Sequence, residues 1–143
     1  MSRCWLWLPG ALLLFVLACT TTTTPPGPID LPTTLVGTWR GDVQMSARNY
    51  SFTLVIKSVR EVDGRVTADA EYEGGIADAR HQPVTIKIEA YGKDVILRFA
   101  TVEAWVVELS LYSDRKHLFG NLNIPVAMGG TLPVNPVDLT KID

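Results

Sequence analysis

Residues 65–72 spell Arg-Val-Thr-Ala-Asp-Ala-Glu-Tyr, a stretch in which every second side chain is apolar or small. Successive side chains of an extended chain point to opposite faces, so this order separates two sets of residues. The apolar face carries Val66, Ala68, Ala70 and Tyr72, and the polar face carries Arg65, Thr67, Asp69 and Glu71. The alternation predicts a half-buried antiparallel β-strand.

The same alternation recurs seven more times between Leu35 and Ile142, with turn residues between the segments. The predicted inward-facing side chains of these segments are Trp39, Gly41, Val43 and Met45; Tyr50, Phe52, Leu54 and Ile56; Val84, Ile86, Ile88 and Ala90; Val95, Leu97 and Phe99; Trp105, Val107, Leu109 and Leu111; Leu118, Gly120, Leu122 and Ile124; and Val137 and Leu139. No stretch has a sustained helical period, so the fold class is all-β. Short connections favour an eight-stranded antiparallel up-and-down barrel, which leaves no exposed edge, and a two-sheet sandwich is the alternative.

The N-terminal residues differ in character from this domain. Arg3 precedes an apolar run from Trp5 to Ala18, which is shorter than the roughly 20 residues of a spanning helix and therefore predicts a signal peptide over residues 1–18. The run ends in Val16-Leu17-Ala18-Cys19, which resembles the lipobox of bacterial lipoproteins. That resemblance implies that Cys19 is the lipidated N-terminus of the mature protein. An ordinary secretory signal with an accidental cysteine is the alternative.

Residues 19–34 are rich in threonine and proline, a composition that predicts an extended tether before a domain over residues 35–143. Cys4 leaves with the signal peptide and Cys19 carries lipid, so no disulfide is expected in the domain. Aspartate after the lipidated cysteine favours the inner membrane in enteric bacteria. The lipobox resemblance implies a lipid-anchored protein of the bacterial cell envelope. Because Thr20 rather than aspartate follows the cysteine, we expect it in the outer membrane.

A second resemblance lies at the start of the first predicted strand. Gly37-Thr38-Trp39 resembles the Gly-x-Trp signature of lipocalins and the wider calycin group, in which the tryptophan fills the closed end of a β-barrel. In that group a basic side chain of the last strand stacks across this tryptophan, and Lys141 matches that position. Lysine replaces the usual arginine, and no helix follows the last strand. The resemblance implies a barrel that binds a small apolar or amphipathic ligand.

Loop lengths predict which end of the barrel is open. Tight turns are expected at 61–64, 92–93 and 113–116, at the end where the tether enters, and longer loops at 46–49, 73–83 and 125–130. We therefore expect a ligand mouth at the far end, formed by Met45, Tyr50, Trp105 and Met128. Small inward residues such as Gly41 and Gly120 leave room for a ligand, whereas bulky ones fill it, so a filled barrel is an equal alternative.

Charge and residue inventory bear on the class of function. The formal net charge is −2 and the basic residues are scattered, which argues against nucleic-acid binding. His81 and His117 are the two histidines, and the strand order places them at opposite ends of the barrel. Without clustered ligands or a nucleophile beside a base, we expect no catalytic residues, no metal and no cofactor. The protein is not expected to be an enzyme.

The alternative function is a non-catalytic docking or structural module of the envelope. Ile96, Val106 and Phe119 face outward on consecutive predicted strands, where polar residues are normally found. Neighbouring strands lie about 4.8 Å apart, so these side chains could form one apolar patch for a protein partner if the register aligns them. Isolated exposed apolar residues are the alternative interpretation.

Overall fold

The fold comes from a computed structural model, which describes residues 29–75, 78–126, 129 and 135–143. It contains one short helix and eight strands. Their bounds are α1 Leu31–Leu35, β1 Gly37–Met45, β2 Arg48–Val62, β3 Arg65–Gly74, β4 Ala79–Tyr91, β5 Asp94–Ala100, β6 Val106–Leu111, β7 His117–Asn123 and β8 Asn135–Lys141.

The strands pair in chain order, all antiparallel, and β8 pairs with β1 to close the barrel. Trp39 lies opposite Lys141 in the closing pair, and Val43 lies opposite Val137. The prediction of an all-β up-and-down barrel is confirmed, and the sandwich alternative is wrong. Closure gives each strand two hydrogen-bonded neighbours, so no strand is left as an exposed edge.

The predicted inward faces form one hydrophobic core inside the barrel. Most of the large inner side chains are buried, among them Trp39, Leu54, Ile86, Leu97, Leu109 and Leu139. Alternation places these residues inward because burying apolar surface is favourable, by about 25 cal/mol per Å². The period-two pattern therefore identified most of the core, although Ala90, predicted to face inward, is exposed, and Met45, Tyr50 and Trp105 are half-buried.

Three strands are longer than their apolar alternation suggested. A bulge between Ile56 and Ser58 allows β2 to continue to Val62 with Val59 opposite the inner residue Ala68. The loop expected at 73–83 is wrong, because β4 begins at Ala79 and only residues 75–78 connect it to β3. Backbone pairing of Tyr72 with Gln82 extends the ladder through residues that lack an apolar pattern.

The end of the predicted tether is also different from expectation. Residues 31–34 were expected to be extended, but with Leu35 they form α1, and Leu35 is fully buried. Pro32 lies in the first turn, where a missing N–H costs no helical hydrogen bond, and Asp30 accepts a hydrogen bond from the Thr33 hydroxyl. Among the described residues, no helix is long and apolar enough to cross a membrane.

Candidate functional site

The barrel end beside α1 is closed by Trp39. Its side chain is fully buried, and its indole Nε1 donates a hydrogen bond of 2.9 Å to the backbone carbonyl of Leu35. The Lys141 Nζ lies 5.5 Å from the centroid of the Trp39 ring and donates a 2.9 Å hydrogen bond to the carbonyl of Thr34. The ammonium thus lies over the indole and ties the last strand to the helix, an arrangement that stabilises by roughly 0.5–2 kcal/mol.

Gly37 and Asp143 complete this closed end. Gly37 has a φ of 134°, and a Cβ there would lie 2.7 Å from Asp143 Oδ1 and 2.8 Å from Lys141 Cε. The backbone N–H of Thr38 donates to the Asp143 carboxylate. This hydrogen bond, with a smaller contribution from Lys141, holds the pKa of Asp143 below its usual value. Only glycine fits at position 37 without displacing these groups.

Three aromatic side chains pack against one another toward the opposite end of the barrel. The Phe52 and Tyr72 rings stack with centroids 5.6 Å apart, and the Tyr72 and Phe99 rings lie 6.2 Å apart. Their exposed fractions are 1%, 2% and 4%. The Tyr72 hydroxyl accepts a 2.8 Å hydrogen bond from the backbone N–H of Val102. We call these three residues the aromatic layer, and it links β2, β3 and β5 to the segment before β6.

The small inward residues leave less room than the sequence suggested. A Cβ at Gly41 would lie 1.8 Å from the carbonyl oxygen of Asp138, and a Cβ at Gly120 would lie 1.9 Å from that of Glu108. At both positions the backbone of the neighbouring strand occupies the space of a side chain. The inward side chains of Leu54, Leu97 and Leu109 are fully buried, so no ligand-sized void adjoins them, whereas the inward side chains of Met45, Tyr50 and Trp105 nearer the opposite end are half-buried.

Three of the four predicted mouth residues, Met45, Tyr50 and Trp105, lie at this end. Met45 and Trp105 are half-buried and pack against it, and Tyr50 is half-buried as well. Trp105 precedes β6, where its carbonyl accepts from Thr101 N–H at 2.8 Å and its own N–H donates to Thr101 Oγ1 at 3.3 Å. Met128 lies outside the described residues, as does Cys19.

The predicted docking patch is not contiguous. Ile96 and Phe119 each lie opposite Ser110, which separates them across β6. Val106 is four residues further along β6, about 13 Å away at 3.3 Å per residue. The expectation of one patch is therefore wrong, because the register places Ser110, not Val106, between Ile96 and Phe119. Phe119 instead contacts Tyr112, with ring centroids 6.3 Å apart.

Polar groups of the outer wall form ion pairs and hydrogen bonds with one another. His117 Nδ1 hydrogen bonds Asp114, and the pKa of Asp114 is lowered by the Lys116 backbone N–H and by the His117 side chain. His81 lies in β4, not in a loop, with its Nε2 3.9 Å from Glu73 Oε2 at the rim of a shallow cleft of about 220 Å³. The described residues contain no group of three or more potential metal ligands.

The fold and these ends define the class of protein that the chain resembles. An eight-stranded antiparallel up-and-down barrel with a buried tryptophan on its first strand is consistent with a lipocalin-like domain. No family model matches the sequence, and no curated protein shows significant similarity to it.

Two features of the ends were not anticipated from the sequence. One is the use of α1 carbonyls as acceptors for Trp39 and Lys141, and the other is the bond between Tyr72 and Val102. Pro32 two residues after Asp30 was an available signal for a helix start. The second contact depends on how β3 and the segment after β5 meet in space, and no local signal in the sequence indicates it.

Proposed function

We propose that this chain is a lipid-anchored protein of the bacterial cell envelope, whose filled barrel acts as a non-catalytic docking module. The aromatic layer carries the second part of this proposal. Phe52, Tyr72 and Phe99 occupy the end of the barrel where a lipocalin-like protein would admit a ligand. A barrel whose interior is packed can still present its loops on a rigid scaffold.

The first part of the proposal rests on the leader and on Cys19, supported by the way the chain enters the domain. Residues 29–35 approach the closed end, where Leu35 and Thr34 are bonded to Trp39 and Lys141. A lipid on Cys19 would therefore hold the closed end toward the membrane and leave the aromatic layer on the far side. Several acyl chains on one residue give stable attachment, at about 0.8 kcal/mol per buried CH₂.

The docking surface that this orientation favours is the distal connection between β5 and β6. Val102 is 60% exposed there, and its backbone is fixed by the Tyr72 hydroxyl. Ala104 N–H also donates to the Thr101 carbonyl at 2.9 Å, so the segment has a defined shape. An exposed apolar side chain on a rigid loop suits recognition of another envelope protein, since little conformational freedom is lost on binding.

Native mass spectrometry of the full mature protein, purified in mild detergent, tests the filled barrel. The expected mass is that of the acylated polypeptide alone, before and after exposure to a lipid extract. An additional non-covalent mass that disappears on denaturation would contradict a filled barrel and favour the ligand-binding alternative. The matched control is Phe99→Ala, because the space left by a deleted core ring can admit a small apolar molecule such as benzene.

The anchor and the docking surface need separate readouts. The intact mass of the same preparation reports the acyl chains on Cys19, and Cys19→Ser must lose them. A photo-crosslinker placed at Val102 in cells is expected to give a discrete adduct with another envelope protein, whereas one at Val62, which is 58% exposed at the closed end, is not. Equal adducts from both positions would contradict docking through the distal connection.

A further inference from the structure

The exposed apolar side chains are concentrated at the closed end of the barrel. Among the described residues, eight large apolar side chains are exposed, and five of them lie at this end. We call these five the apolar rim: Val36, Val62, Tyr91, Tyr112 and Ile142, with exposed fractions of 37%, 58%, 65%, 52% and 52%.

The topology accounts for their common location. In an up-and-down barrel every second connection lies at the end where the chain enters. Val62 and Tyr91 end β2 and β4, and Tyr112 follows β6, so all three adjoin connections of that end. Val36 and Ile142 flank the first residue of β1 and the last residue of β8, at the same end.

The register places the two tyrosines on either side of β5, near its first residue. Tyr91 pairs with Asp94 at the start of β5. The β5–β6 register pairs Ile96 with Ser110, and its continuation by two residues brings Asp94 opposite Tyr112. Leu111 is buried on the inner face, so Tyr112 points outward, and its ring contacts Phe119. Tyr91 and Tyr112 therefore flank one aspartate at the outer margin of the barrel.

We propose that the apolar rim rests on the lipid bilayer, so that the closed end of the barrel lies in the membrane interface. This inference builds on the lipid anchor of the proposed function. Nine residues separate Cys19 from Ile29, and at the roughly 3.3–3.6 Å per residue of a fully extended chain they reach no further than about 35 Å. Because α1 is bonded to Trp39 and Lys141, the chain enters the domain at the closed end, beside the rim.

The chemistry of the rim suits a lipid interface. Tyrosine has an apolar ring and a polar hydroxyl, and it is enriched where membrane proteins meet the headgroups. The exposed side chain of Lys93 follows Tyr91 closely, and Arg115 and Lys116 lie in the turn after Tyr112, but Asp94 at the start of β5 and Asp114 in that turn carry the opposite charge. The local charge is mixed, so apolar contact rather than attraction to anionic lipid is the driving interaction. The rim is therefore expected to engage zwitterionic lipid.

Fluorescence quenching on the full lipidated protein tests this contact. In the mature protein Cys19 is acylated and Cys4 has been removed, so a single introduced cysteine is the one free thiol. Tyr91→Cys and Tyr112→Cys, each labelled with an NBD fluorophore, are reconstituted in phosphatidylcholine vesicles with and without doxyl-labelled lipid. Val102→Cys is the matched control, because it is 60% exposed at the opposite end.

Doxyl lipid is expected to remove about half or more of the signal at positions 91 and 112, since interfacial side chains lie roughly 5–10 Å within the headgroup boundary. The label at position 102 should retain its signal. Equal quenching at all three positions overturns the proposal. The proposal is also overturned if the labels at positions 91 and 112 become shielded from solvent as the protein concentration rises but are not quenched by doxyl lipid. That result indicates that a second copy of the chain covers the rim.

The mass of Cys19 in the same preparation separates the two proposals. An acylated protein without quenching at the rim contradicts the membrane contact and leaves the anchor intact. A protein without acyl chains contradicts the proposed anchor. Quenching by vesicles added to that protein still tests the membrane contact of the apolar rim. Quenching at positions 91 and 112 supports direct contact with lipid, and no quenching there overturns the proposal.

Discussion

The two ends of the barrel are stabilised by different kinds of interaction. At the end beside α1, Lys141 hydrogen bonds Thr34 across 107 residues of sequence, so the two termini of the domain are joined. At the opposite end, Tyr72 bonds Val102 across 30 residues, within the part of the barrel from β3 to β6. The closed end therefore depends on completion of the whole barrel, whereas the aromatic layer depends on neighbouring strands in the middle of the chain.

The largest expected effect comes from the tryptophans of the two ends. Trp39→Ala removes a fully buried side chain and leaves the Leu35 carbonyl without its donor, so it should lower the free energy of unfolding by about 3–5 kcal/mol. Trp105→Ala at the other end should cost clearly less, because Trp105 is half-buried. Denaturant unfolding of the mature protein measures both changes.

The two tryptophan variants also test the difference between the ends. Similar losses in both variants would show that the distal tryptophan carries as much of the core energy as the buried one. A loss in Trp105→Ala that exceeds the loss in Trp39→Ala would contradict the role assigned to Trp39 at the closed end.

Much of the fold was predictable because it depends on a local pattern. Val66, Ala68, Ala70 and Tyr72 alternate with polar residues, and burial of one face of a strand requires no more than that. The same pattern failed where pairing rather than burial sets the strand length, as at His81 in β4. Backbone hydrogen bonds extend a ladder whatever the side chains are, so the apolar pattern does not indicate where the strand ends.

The ends and surfaces were harder to predict because they depend on register and on contacts between distant residues. The prediction that Ile96, Val106 and Phe119 form one patch failed because the strand register decides which outward residues are neighbours. Ser110 lies between Ile96 and Phe119. Gly41 and Gly120 were expected to leave space, but the curvature of the barrel brings neighbouring backbone into it. Side-chain size alone does not report how closely strands approach.

A smaller effect is expected from the polar contact of the aromatic layer. Tyr72→Phe keeps the ring stack and removes the acceptor of the Val102 N–H, which should lower the free energy of unfolding by about 1 kcal/mol. Hydrogen exchange at the Val102 amide should accelerate, while that of the Ile142 amide, which donates to the Thr38 carbonyl at the closed end, should not. Equal acceleration of both amides would show that the two ends are not independent.

The smallest effect concerns acid and the closed end. The Thr38 backbone N–H holds the pKa of Asp143 below its usual value of about 3.9, so the folded protein binds this proton less readily than the unfolded chain. The resulting stabilisation is fully present above the unfolded pKa and is lost as the pH falls through the lower folded pKa. Tyrosine and amide groups gain no charge in that range, so the Tyr72–Val102 contact should not respond in the same way.

The difference in Tm between the mature protein and Asp143→Asn measures this contribution. The difference should be positive from pH 7 to about pH 5 and should shrink below about pH 4, where the carboxylate becomes protonated in both states. Asp63→Asn, in the exposed turn between β2 and β3, is the matched control and should give a difference that is small at neutral pH. Because Asp143 is exposed, solvent screens its charge and the shift in Tm should be modest. A difference that grows as the pH falls would have the wrong sign for a lowered pKa, and it would mean that the bond between Asp143 and Thr38 does not stabilise the closed end.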